Sequence, residues 1–250
     1  MAFDGVTVAV LLIIFVSTLT RAVFGFGNAL VAMPLLAMTP IGMKTATPLI
    51  ALIAIILGLI IIVRDWHIVD LRSIWRLLVA TVPGVPLGLI LLKGPYENTG
   101  KIILALIIIV FSCYALFRPR LIRLKQEWTA YPFGFLAGIL GGAYNSNGPP
   151  IAIYGTLRRW PPDRFRANLQ GYFFPSSVII VAGHGLGGLW TSEVGWYFLL
   201  SLPLLPLAIW IGNRINRTFR PGRFDQYIYI LLILVGAILF IRTVISGSSG

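Results

Sequence analysis

Hydrogen-bond donors with no acidic neighbour are concentrated in one ten-residue stretch of this 250-residue chain. It runs from Gly141 to Pro150, reads GGAYNSNGPP and contains Asn145, Ser146 and Asn147. Glycine permits sharp turns and proline is favoured in the first turn of a helix, so the stretch predicts a helix, a break and a second helix. Free N–H groups at the start of the second helix, with the positive end of its dipole, favour an anion. A glycine turn without a ligand is the alternative interpretation.

The pattern occurs a second time near the N-terminus. Residues 25–34 read GFGNALVAMP, with Gly25 and Pro34 at the spacing of the first and last residues of the other stretch. Both stretches interrupt apolar sequence, and irregular backbone at membrane depth is tolerated only where it is buried in protein or lines a cavity. The repetition favours a binding site over a simple turn.

Three further polar residues lie within or beside apolar segments. Arg21 precedes Gly25 by four residues, and a buried arginine usually pairs with a charge or a ligand. Its alternative is a snorkelling side chain at a helix end. Asn168 and Gln170 lie at the start of an apolar segment, where amides bond either another helix or a ligand.

These residues together predict a binding site for a small anion, with no cofactor and no metal. The acidic residues all lie in loops or at segment ends, so we expect no carboxylate at membrane depth. His67 and His184 flank equivalent loops and are expected at the membrane interface. The predicted site residues are Arg21, Gly25, Gly27, Asn28, Gly142, Tyr144, Asn145, Ser146, Asn147, Gly148 and Gln170.

Composition places the chain in a membrane. It is 58% hydrophobic and 11% charged, whereas soluble domains carry about 25% charged residues. The net charge of +12 comes from short basic clusters between apolar segments, which is typical of cytoplasmic loops and not of a nucleic-acid surface. The single Cys113 excludes a disulfide framework. Hydrolase, nucleotide-binding and metalloprotease motifs are missing, so we expect no enzyme.

The apolar segments divide the chain into two repeats. We expect the first at 1–117, a basic linker at 118–128, the second at 129–245, and a tail at 246–250, all within one transmembrane domain. Segments 5–38 and 129–157 contain the glycine breaks. The uninterrupted segments are long enough to span a bilayer and lie near 46–63, 74–92, 101–117, 166–183, 195–213 and 225–245.

The loop charges predict that the two repeats have opposite orientations. Loops rich in Lys and Arg in one half correspond to poor loops in the other half at every position. An inverted repeat needs an odd number of crossings per half. We therefore expect an all-α membrane protein whose repeats each hold a glycine-broken, re-entrant helix pair and three transmembrane helices, with both termini outside. Broken helices that cross the membrane are the alternative.

Two motifs carry a family resemblance. GFGNALVAMPLL at 25–36 and GILGGAYNSNGPP at 138–150, in a two-repeat chain of this length, resemble the sulfite exporter TauE/SafE family, also called the TSUP permeases. The resemblance covers essentially the whole chain. It implies transport of sulfur-containing anions, namely sulfite and organosulfonates such as sulfoacetate. In many members of that family the direction is export across the bacterial inner membrane.

The resulting hypothesis is a carrier that binds its anion between the two breaks near the membrane midplane and exposes it alternately to either side. An anion channel of the same architecture, a carrier of another small organic anion and a non-transporting membrane scaffold are the alternatives. The expected partners are the small anion and the lipid bilayer, without nucleic acid, and the chain could form a homo-oligomer.

Overall fold

The chain is helical throughout the part that the structure describes. The computed structural model covers residues 4–24, 27–65, 67, 69–95, 97–117, 123–218 and 223–247, and these contain no β-strand. The all-α prediction is confirmed. The helices are α1 (Gly5–Phe24), α2 (Asn28–Leu36), α3 (Gly42–Asp65), α4 (Leu71–Lys93), α5 (Glu97–Phe117), α6 (Ala130–Tyr144), α7 (Gly148–Leu157), α8 (Pro162–Leu186), α9 (Ser192–Ser201), α10 (Leu204–Thr218) and α11 (Arg223–Gly247), with a 3₁₀ turn at Glu127–Thr129.

Several of these helices are long and apolar enough to cross a membrane. Among the described residues, four are long and apolar enough alone, within α1, α3, α4 and α5, and the α9–α10 pair could supply a fifth span. The membrane class is therefore confirmed. A crossing helix needs about 20 residues, and α1 has 20. The re-entrant form of the broken segments and the inverted orientation stay predictions.

The segment expected as one span at 195–213 is a bent pair. Helix α9 ends at Ser201, α10 begins at Leu204, and the two axes differ by 47°. Pro203 has no N–H to continue the helix, and its ring crowds the preceding turn. The corresponding prolines of the first half, Pro83 and Pro86, lie inside the continuous helix α4.

The chain forms two compact units, and each contains helices from both predicted repeats. One unit comprises Met1–Ala46, Gly94–Pro119 and Ser192–Gly250; there α1 packs mainly on α10, and α5 on α11. The other comprises Thr47–Lys93 and Arg120–Thr191; there α4 packs on α6 and α8. The compact units thus differ from the sequence repeats, whose bounds stay a prediction.

Glycines bring α4 and α6 into backbone contact. They recur every fourth residue, at Gly84 and Gly88 on α4 and at Gly134, Gly138 and Gly142 on α6. A methyl carbon added at any of the five would overlap a backbone carbonyl oxygen of the opposite helix. Such small-residue interfaces hold membrane helices together through van der Waals contact, because the hydrophobic effect does not drive helices together within lipid. We call these five residues the glycine seam.

The N-terminus of α1 is capped by Asp4. Its Oδ1 accepts from the Thr7 N–H and the Thr7 hydroxyl, both at 2.9 Å. The bond from the Thr7 backbone lowers the pKa of Asp4, and the hydroxyl bond lowers it further. A carboxylate with a depressed pKa stabilises the fold above its unfolded pKa, and the contribution is lost as pH falls through the folded value.

We therefore expect Asp4→Ala to lower the melting temperature at neutral pH. The difference from wild type should shrink at acidic pH, as pH falls through the lowered folded-state pKa of Asp4 and the carboxyl becomes protonated in both states. Thermal unfolding in detergent, followed at both pH values, checks this. An equal difference at both would show that the cap does not act through its charge.

Candidate functional site

The second break is a short, tightly bonded turn between α6 and α7. Asn145 ends α6 in the left-handed region, with φ 51° and ψ 21°. Its N–H donates to the Gly141 carbonyl at 2.8 Å, and the Ser146 N–H donates to the Leu140 carbonyl at 3.1 Å. These bonds close the C-terminus of α6, in the manner of the cap that usually requires glycine. The break was predicted, and the structure confirms that it separates two helices.

Few main-chain donors remain at the start of α7. The helix begins at Gly148, and its next two residues are Pro149 and Pro150, which have no N–H. The N–H groups of Asn145 and Ser146 are already used within the turn. Within the described chain, the N–H groups of Asn147 and Gly148 form no hydrogen bond. A negatively charged group at this helix start would therefore meet two main-chain donors and the helix dipole.

The polar side chains of this break are buried. Asn145, Ser146 and Asn147 are 5%, 1% and 8% exposed. The Ser146 hydroxyl donates to the Tyr144 carbonyl at 3.2 Å, and the Asn147 Nδ2 donates to the Ser176 hydroxyl on α8 at 3.0 Å. The Tyr144 hydroxyl is buried without a hydrogen-bond partner among the described residues. A buried polar atom without a partner is costly, so these groups favour a polar ligand.

Helix α8 adds polar contacts that the sequence did not identify. The Tyr172 hydroxyl lies 2.7 Å from the Thr81 hydroxyl on α4, which also donates to the α6 carbonyl of Gly134 at 3.2 Å. The His184 Nε2 donates to the Gly142 carbonyl at 2.9 Å. His184 is fully buried within the protein, and its expected position at the depth of the membrane interface stays a prediction. Its ring caps a carbonyl that the end of α6 leaves unpaired.

The first break lies in the other compact unit and has more main-chain donors. Gly27, at φ 96°, precedes α2, and its carbonyl accepts the first helical bond, from Val31 at 3.1 Å. The N–H groups of Asn28, Ala29 and Leu30 form no hydrogen bond among the described residues. The predicted site residue Gly25 lies outside those residues.

The Asn28 side chain strengthens this first site. It is 3% exposed, and neither its Nδ2 nor its Oδ1 has a hydrogen-bond partner within residues 4–24, 27–65 and the other described ranges. An amide that is buried without partners forgoes the hydrogen bonds it would make in water. A ligand that binds at this helix start would supply them.

Arg21 lies in the last turn of α1, just before the first break. Its side chain is 5% exposed, so the guanidinium does not reach a free surface of the protein as a snorkelling side chain would. Buried arginines are retained where they meet a charge or a ligand. The guanidinium plane suits a bidentate contact with an oxyanion.

The structure describes the surroundings of two predicted site residues, Gly142 and Gln170, and of the neighbouring Asn168. Gly142 belongs to the glycine seam, and close packing on α4 accounts for it. Gln170 is buried at 2% exposed, and it stays a predicted ligand residue. The neighbouring Asn168 accepts from the Asp70 N–H at 2.8 Å, so it serves the interhelical bonding that was one of its two interpretations.

None of the carboxylates whose side chains the structure describes is fully buried. Among the side chains that the structure describes, Asp4 and Glu127 are exposed, and Asp70 and Glu193 are half-buried. Glu193 accepts from the Thr45 hydroxyl at 3.1 Å, and Glu127 pairs with Arg76. No group of three or more His, Cys, Asp or Glu side chains in the described ranges could hold a metal ion.

Comparison with known proteins gives one match. The model of the family described as "Sulfite exporter TauE/SafE" matches residues 10–239. No curated protein and no solved structure matches the chain.

Proposed function

Because the chain belongs to the sulfite exporter TauE/SafE family, a family of membrane transporters, we propose that it exports sulfite or small organosulfonates such as sulfoacetate. The membrane would be the bacterial inner membrane, with both termini outside. The single observation that carries the proposal is the pair of helix starts at which main-chain N–H groups have no hydrogen-bond partner among the described residues.

The chemistry of the two breaks supports an oxyanion. A sulfonate has three oxygens, which can accept several N–H donors at once. The donors at the second break are neutral, and Arg21 near the first break supplies a positive charge. Transport requires a site that binds well enough to accept the ion and weakly enough to release it. Helix N-termini and amides meet this requirement better than a cluster of lysines.

We further propose that each break binds the transported anion in an alternating-access cycle. Support comes from the repetition of the two glycine motifs and from the opposite charge patterns of their loops. Transporters with inverted repeats bind substrates at discontinuous helices in this way. Alternating access also explains why the donors are placed at breaks and not along continuous helices.

Uptake of sulfite and sulfoacetate into proteoliposomes tests the proposal. We expect saturable uptake by the wild type and a loss of at least about tenfold in the combined variant Arg21→Ala, Asn145→Ala, Asn147→Ala, because the changes remove one charge and two polar side chains from the breaks. Lys44→Ala, which removes an exposed cation, is the matched control. Unchanged uptake in the combined variant would contradict the site.

Electrical recording, uptake assays and thermal unfolding distinguish the alternative functions. Single-channel currents would identify an anion channel of the same architecture. Saturable uptake of small carboxylates in place of sulfur oxyanions would identify a carrier of another organic anion. A protein that no anion protects in thermal unfolding would be a scaffold, since a ligand that binds the folded state raises its melting temperature.

A further inference from the structure

The orientation of the Asn147 side chain follows from the hydrogen bonds of Ser176. A serine hydroxyl has one proton to donate. The Ser176 proton goes to the Phe173 carbonyl, 3.1 Å away on the preceding turn of α8. The Ser176 oxygen then accepts from the Asn147 Nδ2, 3.0 Å away, and Tyr172 is a further hydrogen-bond partner of Ser176. The bonding network thus distinguishes the two ends of the amide.

This orientation leaves the Asn147 Oδ1 uncommitted. An asparagine before a helix normally uses this oxygen to accept the second or third N–H of the helix. In α7 those positions are Pro149 and Pro150, which have no N–H, and no capping bond forms. Within the described residues the Asn147 side chain makes its bond to Ser176 and no other.

We propose that the Asn147 Oδ1 accepts a hydrogen bond from the transported anion, and that Ser176 is the positioning residue that sets this specificity. The inference rests on the proposed function. The site would then select sulfur oxyanions that have an O–H or N–H of their own. Hydrogensulfite and hydroxyalkyl or aminoalkyl sulfonates have such a donor, whereas sulfate, doubly ionised sulfite, simple alkyl sulfonates and fully ionised sulfoacetate do not. Of the proposed substrates, the inference therefore favours hydrogensulfite over sulfoacetate.

The geometry of the break supports a mixed set of contacts. The N–H groups of Asn147 and Gly148 would bind the anionic oxygens, and the Oδ1 of the same asparagine would bind the donor. A fully ionised oxygen placed against Oδ1 would face a partial negative charge and gain no hydrogen bond. Sites that bind a substrate O–H reject analogues without it, because the polar group of the protein is left unpaired.

Ser177 provides the matched control on the same helix. It is 3% exposed and Ser176 is fully buried, so both are small, buried hydroxyl residues in one turn of α8. Only Ser176 bonds Asn147. Replacing Ser176 by alanine removes the acceptor that holds Nδ2, and the amide can then turn its NH₂ group toward the anion.

The experiment compares two sulfonates that differ in one hydroxyl, 2-hydroxyethanesulfonate and ethanesulfonate, as substrates in proteoliposomes. We expect the wild type to prefer the hydroxylated compound by about tenfold in uptake efficiency. Ser176→Ala should bring the ratio close to one, and Ser177→Ala should leave it unchanged. A change in folding alone would lower both uptakes together and leave the ratio intact.

The wild-type protein gives a second test that needs no variant. At constant total sulfite, uptake should follow the fraction present as hydrogensulfite as pH rises, while uptake of 2-hydroxyethanesulfonate should stay constant. Equal uptake of the two sulfonates by the wild type, or a ratio unaffected by Ser176→Ala, would overturn this inference and leave the proposed function standing. Absence of uptake for every sulfur oxyanion would overturn both.

Discussion

Replacing Gly138 by leucine is expected to abolish folded, transport-competent protein. A side chain at this position would overlap the Thr81 carbonyl oxygen and approach the Gly84 Cα to 3.0 Å. Both obstacles are backbone atoms, so no rotamer change can relieve them, and α6 would have to move off α4. Overpacking a close interface costs about 1–3 kcal/mol and more where the backbone must shift. We expect a cost at the upper end or beyond, which is a large part of a typical folding free energy.

The measurement is the yield of monodisperse protein in detergent and its melting temperature. Gly195→Leu on α9 is the matched control, because a Cβ at Gly195 meets no atom within 4 Å. Gly138→Ala should fall between wild type and the leucine variant. Normal folding of both Gly138 variants would show that α4 and α6 do not approach as closely as the glycine seam implies.

Replacing Arg21 by glutamine is expected to weaken anion binding by about 100-fold. The side chain is buried, and loss of a buried charge opposite an ionic partner typically costs about 2–5 kcal/mol. The measurement is the sulfite concentration that gives half-maximal protection in thermal unfolding, with uptake as the second readout. Arg21→Lys should retain part of the affinity, because it keeps the charge and loses the planar pair of donors.

The control for Arg21 is Lys44→Gln, which removes the same charge from an exposed position. General attraction between a basic protein and an anion is screened by salt and would respond similarly to either change. A selective effect of Arg21 that persists at high salt supports direct contact. Equal losses in the two variants, or none in either, would place Arg21 outside the site.

The two breaks could be predicted because their causes are local. Glycine and proline act on the backbone within one or two residues, so GGAYNSNGPP specifies an interruption wherever the segment lies. The structure accordingly ends α6 at Tyr144 and begins α7 at Gly148. The α9–α10 bend has the same origin at Pro203 but was not expected, because prolines inside α4 leave that helix continuous.

The chemistry of the second break could be predicted only in part. The sequence indicates free amides near the glycines, yet the N–H groups of Asn145 and Ser146 are used to close α6. The orientation of Asn147 depends on Ser176, which lies 29 positions along the chain. A hydrogen bond between distant residues leaves no periodicity in the sequence, so the break could be located but the orientation of its side chains could not be predicted.

The sequence contains a pattern that indicates the glycine seam. Glycines four residues apart on an apolar helix are typical of close helix packing in membranes, and both α4 and α6 carry them. We predicted Gly142 as a site residue because it lies beside the second break. Its spacing from Gly134 and Gly138 indicates a position in the helix interface. The pairing of α4 with α6 still required the structure, because a glycine motif on one helix does not identify the helix that packs against it.

The mixed composition of the compact units has a consequence for biogenesis. Helix α6 emerges from the ribosome after its partner α4, but α1 emerges far ahead of its partner α10. At a synthesis rate of about 5–20 residues per second, α1 waits in the bilayer for roughly ten to forty seconds before α10 is made. During that interval the buried guanidinium of Arg21 lacks the protein surroundings of the finished fold. Nascent chains truncated before residue 204 should therefore be the preferred substrates of insertases and membrane proteases.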